Sequence, residues 1–153
     1  MAELNTVTRT KVAQVAGTKS PASAFNRMRV AVIDTPAAYA APAQNDTAGT
    51  ALVLPTGSRV LLPITVSSVA GTALSTLSVG IRDAVTKVAI DATAIVNAAA
   101  ISAAATGQVN TGTKLINGQY YVMPQDVEIY LTFGGAAGLI NQAVRVESPF
   151  VAP

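Results

Sequence analysis

Apolar and polar side chains alternate residue by residue in several short runs of this sequence. An alternation of period two fits a strand that buries one face and exposes the other. In residues 127–133 (VEIYLTF), Val127, Ile129, Leu131 and Phe133 fall on one side, with Glu128, Tyr130 and Thr132 on the other. Residues 77–82 (LSVGIR) repeat the pattern, placing Leu77, Val79 and Ile81 inward. Residues 27–33 (RMRVAVI) do so again, with Met28, Val30 and Val32 on the apolar face and the arginines opposite.

Between these runs lie turn and loop signals. Residues 35–49 hold two prolines and many alanines and read as a loop. Residues 59–67 (RVLLPITVS) are strand-like, but Pro63 cannot donate to a ladder and marks an edge or a bulge. Asp83-Ala84 turns the chain before a short strand at 87–90. Asn117-Gly118, between two strand-forming runs, favours a type I′ hairpin, because both central residues need positive φ. Residues 134–138 (GGAAG) form a loop, and residues 141–151 return as the last strand, with regular pairing expected to end at Ser148-Pro149. Residues 91–107 are ambiguous. Asp91 or Thr93 could cap a helix and alanine favours one, yet Ile95 and Ile101 share no helical face, so a short helix or an Ala-lined loop is expected. The sum is an all-β chain: an antiparallel β-sandwich of jelly-roll type with at most one short helix. Residues 1–24, rich in Thr, Ser, Ala and Gly, read as an extended N-terminal arm with a short strand near residues 6–12, and residues 25–153 as a single sandwich domain.

The chain has 153 residues, half of them apolar and 12% charged, enough to bury one core. With no Trp and aromatics at 5%, that core must be built from small and branched side chains. Cysteine and histidine are absent, which excludes disulfides, thiolate chemistry, Cys/His zinc sites and any Ser-His or Cys-His nucleophile. The start, Met1-Ala2-Glu3-Leu4-Asn5, lacks a basic segment followed by an apolar one, and the expectation is synthesis in the cytoplasm. The uncharged run 92–113 is long enough for a membrane span, but it is too poor in Leu, Ile and Phe to partition well, so no membrane partner is expected.

Charge is distributed unevenly. Arg9, Lys11, Lys19, Arg27 and Arg29 face only Glu3 in the first 29 residues, while the remainder is slightly acidic. Arg9, Lys11 and Lys19 are the candidate docking residues of the arm, aimed at an acidic protein surface. The basic residues are spread out and not interleaved with aromatics, so nucleic acid is not the expected partner.

The remaining candidates for chemistry are weak. Asp126 and Glu128 share a strand face and are the one conceivable acid/base pair, but a charged sheet face that discourages mispairing accounts for them. Asp83 and Asp91 are turn or cap residues. The glycines at 134–138 precede a strand, so no helix N-terminus stands ready for phosphate. Asn45-Asp46-Thr47 matches the glycosylation sequon, a three-residue pattern that arises often by chance. Tyr120, Tyr121 and Tyr130 could stack on sugars or bases, which keeps a carbohydrate-binding module as an alternative of another class. No catalytic residue, metal ligand or cofactor site is assigned.

One resemblance adds to this. The order Thr76-Leu77-Ser78-Val79-Gly80-Ile81, an Ala-rich stretch to Gly107, Asp126-Val127-Glu128-Ile129-Tyr130-Leu131-Thr132-Phe133, a Gly-Ala loop and Ala143-Val144-Arg145-Val146-Glu147 resembles small structural proteins of tailed bacteriophages, in particular jelly-roll capsid cement or decoration proteins. The resemblance spans residues 52–151. It implies a non-enzymatic virion protein on the outer capsid surface that clamps the major capsid protein lattice, working as a homo-oligomer, dimer or trimer. A tail or head–tail joining component is the alternative of the same class.

Overall fold

A computed structural model of the chain describes residues 3–5, 7–10, 28–115 and 121–153. These contain strands and turns, with no helix among the described residues. The strands are β1 (Glu3–Asn5), β2 (Val7–Thr10), β3 (Met28–Asp34), β4 (Thr47–Leu54), β5 (Arg59–Val60), β6 (Thr65–Ser68), β7 (Thr76–Asp83), β8 (Ala89–Ala100), β9 (Ala105–Gln108), β10 (Val127–Gly134) and β11 (Val144–Val151).

They form two sheets, one ordered β1-β4-β10-β7-β8 and the other β2-β3-β11-β6-β9, with β5 also paired to β11. The pairs β7–β8, β6–β9, β4–β10 and β3–β11 are all antiparallel and nest in sequence, each enclosing the one before. β1 runs parallel to β4 and β2 antiparallel to β3, so the two N-terminal strands extend opposite sheets. The proposed boundary between arm and domain at residue 24, and the Asn117-Gly118 hairpin, lie outside the described residues.

In β7 and β10 the inner face lies where the alternation predicts. Leu77, Val79 and Ile81 of β7 are fully buried, as are Val127 and Ile129 of β10, with Leu131 and Phe133 beside them at 1% exposure. Ile33, Val66, Val146 and Phe150 close the core from the opposite sheet. Each large aliphatic side chain buried this way stabilises the fold by roughly 1.5–3 kcal/mol, so the core holds without a tryptophan.

Four local expectations are corrected. First, β3 turns its other face inward: Ala31 and Ile33 are fully buried while Met28 is 65% exposed. Partner register decides this, because Ile33 and Ala31 sit opposite Val146 and Ser148 of β11, whose even-numbered side chains point into the core. Second, residues 91–107 form neither helix nor Ala-lined loop but most of β8 and part of β9. The exposed backbone edge of β7 needs a partner, and Gly80 lets β8 come very close; a Cβ there would lie 2.6 Å from the Asp91 carbonyl oxygen. Third, pairing does not stop at Pro149, which faces Val30 while its carbonyl accepts a 2.8 Å bond from the Leu61 N–H. Fourth, the loop after β3 ends at Asp46, because β4 begins at Thr47 rather than near Leu52. Pro63 does interrupt the ladder as expected, falling between β5 and β6.

Candidate interaction surfaces

The basic arm is visible only in part. Arg9 lies in β2, opposite Val32 of β3, while Lys11 and Lys19 lie outside the described residues. Among the described residues, Tyr121 and Tyr130 do not form a stacking platform. Tyr130 is 4% exposed beneath Arg82, whose guanidinium carbon sits 5.4 Å from the ring centroid. Tyr121 is half-buried against the core with the Lys114 ammonium 5.1 Å above it, and Tyr120 lies outside the described residues.

Asp126 and Glu128 share a strand direction but not a site. Asp126 is exposed and accepts bonds from the N–H and hydroxyl of Thr56, at 2.8 and 3.0 Å. Glu128, expected to face solvent, is 3% exposed. β10 sits in the interior of its sheet and pairs Glu128 directly with Arg82 of β7. Arg82 Nε and Nη2 donate to the two carboxylate oxygens at 3.1 and 3.2 Å, Lys87 Nζ donates at 2.6 Å, and the Ala51 N–H donates at 3.1 Å. Burial alone would push this carboxyl up; the bonds from Arg82, Lys87 and Ala51 outweigh it and hold it below the ordinary glutamate value. A carboxylate so neutralised is a poor base, and it ties β4, β7 and β10 together. Sequence reasoning missed this cluster because the register that sets Arg82 against Glu128 is a tertiary fact.

The other acidic residues shape turns. Asp83 accepts the N–H groups of Val85 and Thr86, the main cause of its lowered pKa, and so closes the β7–β8 turn. Asp91 accepts bonds from the Thr93 N–H and the Thr113 hydroxyl, which joins β8 to the segment that follows β9 rather than capping a helix. Among the described residues no three acidic side chains gather to hold a metal ion. The glycine loop after β10 leads into β11, and Gly135 has to be glycine, since it adopts φ +71° and a Cβ there would meet the Leu74 carbonyl oxygen at 2.1 Å.

An open groove of about 540 Å³ crosses the outer side of the second sheet, lined by Asp34, Thr35, Ser67, Ser68, Thr106 and Arg145 among others. Arg145 forms a two-point ion pair with Asp34 at 2.6 and 3.0 Å, which leaves hydroxyls as the groove's remaining polar groups. Beside it β9 is exposed along its whole length.

No family model and no curated protein matches the sequence. Two solved structures share the fold. A chain of the capsid of Ralstonia phage GP4 superposes with a TM-score of 0.66 over 99% of this chain and 99% of its own, at 14% identity. A chain of the cyanophage Pam1 capsid asymmetric unit gives 0.58 over 91% of this chain and 95% of its own, at 20% identity. At these identities it is the fold that is shared, across essentially whole chains.

Proposed function

We propose that this chain is a non-enzymatic structural protein of a phage virion, bound to the outer capsid surface and cementing the major capsid protein lattice as a homo-oligomer. The observation that carries the reading is the end-to-end likeness to a phage capsid chain, with neither chain leaving a domain unmatched. The nested strand pairs support a jelly roll, in which a doubled-over hairpin wraps into two sheets. The engagement of Asp126 and Glu128 in separate structural contacts speaks against their acting as an acid/base pair. In this reading the protein is made in the host cytoplasm and needs no cofactor, and it stabilises the mature shell by mass action over many equivalent sites.

The arm supplies part of the docking. Arg9, Lys11 and Lys19 reach an acidic patch on a neighbouring capsid or cement subunit, as the one-sided charge of the first 29 residues suggests. The test is to add purified protein to shells that lack it and follow occupancy and shell melting together. Saturable binding that raises the shell's melting temperature, weakened by Lys11→Ser/Lys19→Ser and by added salt, is the expected result. Absence of binding at any occupancy overturns the cementing role, and binding indifferent to the lysines overturns the role of the arm.

A further inference from the structure

Between Asp91 and Lys114 no residue carries a charge, and this neutral stretch forms one flank of the sandwich. It supplies most of β8, all of β9 and the segment that returns along the free edge of β8. There the chain covers its own edge: the Thr113 and Lys114 N–H groups donate to the Thr93 and Ala94 carbonyls at 2.9 and 3.1 Å, and Thr111 exchanges hydrogen bonds with the Asn97 backbone. Among the described residues β9 has no such cover. It pairs with β6 on one side, ends its sheet on the other, and all four of its residues are exposed.

An open strand edge is a template for another strand, and monomeric proteins blunt such edges with lysine, proline, bulges or inward charges. The other edge strands described here carry a charge each, Glu3 in β1, Arg9 in β2 and Asp91 in β8. β9 reads Ala-Thr-Gly-Gln, with no charge, no proline and open space beside Gly107. Its exposed neighbours Ala103, Ala104 and Asn110 are equally neutral and small, so covering them costs little side-chain entropy.

We propose that β9 pairs antiparallel with β9 of a second copy, about a two-fold axis at Thr106, joining two sheets into one. The occupant follows from charge. A two-fold axis sets the residue lying on it beside its own counterpart, and like charges brought together there are destabilising. β9 and its flank are the described edge on which self-pairing opposes no charges in any register. The pairing deepens the homo-oligomer part of the function proposed above by naming its surface, while its test needs no capsid.

Sedimentation velocity of the full-length protein across the micromolar range is the test, with Thr106→Lys and Thr106→Glu alongside. The wild type is expected to be a dimer. Each variant alone should weaken the dimer about tenfold or more, and an equimolar mixture should restore it, because lysine then meets glutamate across the axis. Restoration on mixing is a readout that mere misfolding of a variant would not give. A wild-type monomer overturns the proposal. So does a trimer, because an isologous contact joins copies only in pairs, and so does a dimer indifferent to both exchanges. Any of these leaves the virion reading standing, since that reading rests on the likeness to phage capsid chains and is tested by particle binding.

Discussion

Replacing Arg82 by methionine removes two of the donors that face the Glu128 carboxylate and leaves the carboxylate buried. Glu128 would keep Lys87, whose side chain is half exposed, and the Ala51 N–H. Removing one partner of a buried ion pair costs about 3–5 kcal/mol, and the two surviving donors place this case near the lower bound, about 3 kcal/mol. For a chain of this size each kcal/mol moves the melting temperature by about 2–4 °C, so Arg82→Met should melt roughly 6–12 °C lower. The pair Arg82→Met/Glu128→Met, which removes both charges, should recover most of the loss, because the cost lies in the orphaned charge rather than in the missing bond. The assay is urea and thermal unfolding followed by circular dichroism at several pH values. Glu128 titrates lower when folded than when unfolded, so its contribution is present above its ordinary value near 4.5 and is lost as pH falls through the folded value. The difference between wild type and Arg82→Met should therefore narrow as pH drops below that ordinary value, since a protonated Glu128 no longer needs the arginine. A single-variant loss below about 1 kcal/mol, or a difference that stays constant with pH, would refute the reasoning.

Gly80→Ala should destabilise by about 1–3 kcal/mol, since its Cβ would sit 2.6 Å from β8 backbone, whereas Gly107→Ala, with open space around it, should change stability by no more than about 1 kcal/mol. Thermal melts of the two variants side by side check the close approach of β7 and β8, and equal losses would count against it. Tyr39→Phe deletes the buried 2.6 Å bond from the hydroxyl to the Gln142 carbonyl and should cost about 1 kcal/mol, read from the same melts; no loss would mean that this bond contributes nothing between the two loops. Hydrogen exchange should find the amides of β7 and β10 among the slowest in the chain, because both strands are interior to their sheet and bury their inner side chains, and fast exchange in β10 would contradict the topology.

The sequence carried the inner face of β7 and β10 in full, because Leu, Val, Ile and Phe alternate there with polar residues and period two is hard to mistake. It failed where the contrast is weak. In β3 the choice lay between Val30/Val32 and Ala31/Ile33, all apolar, and only the register with β11 decides between them. In β8 alanine serves strand and helix alike, and left-handed Ala98 at φ 50° together with the register shifts against β7 blurs the alternation further. The Arg82–Glu128 cluster was illegible for a different reason. Each residue looks like an ordinary outward-facing charge on its own strand, and their meeting depends on two strands 46 positions apart being hydrogen-bonded neighbours. The neutral run 92–113 was visible as a stretch of sequence, but its meaning as an unguarded flank appears only once β9 is seen at the end of a sheet.

The virion role is tested most directly by counting. Quantitative mass spectrometry of particles produced by the genome that encodes this chain, scaled to the major capsid protein, gives its copy number. A cementing role predicts a number comparable to that of the capsid subunit. A dozen copies or fewer would point to a tail or joining component, and absence from the particles would contradict the virion role altogether.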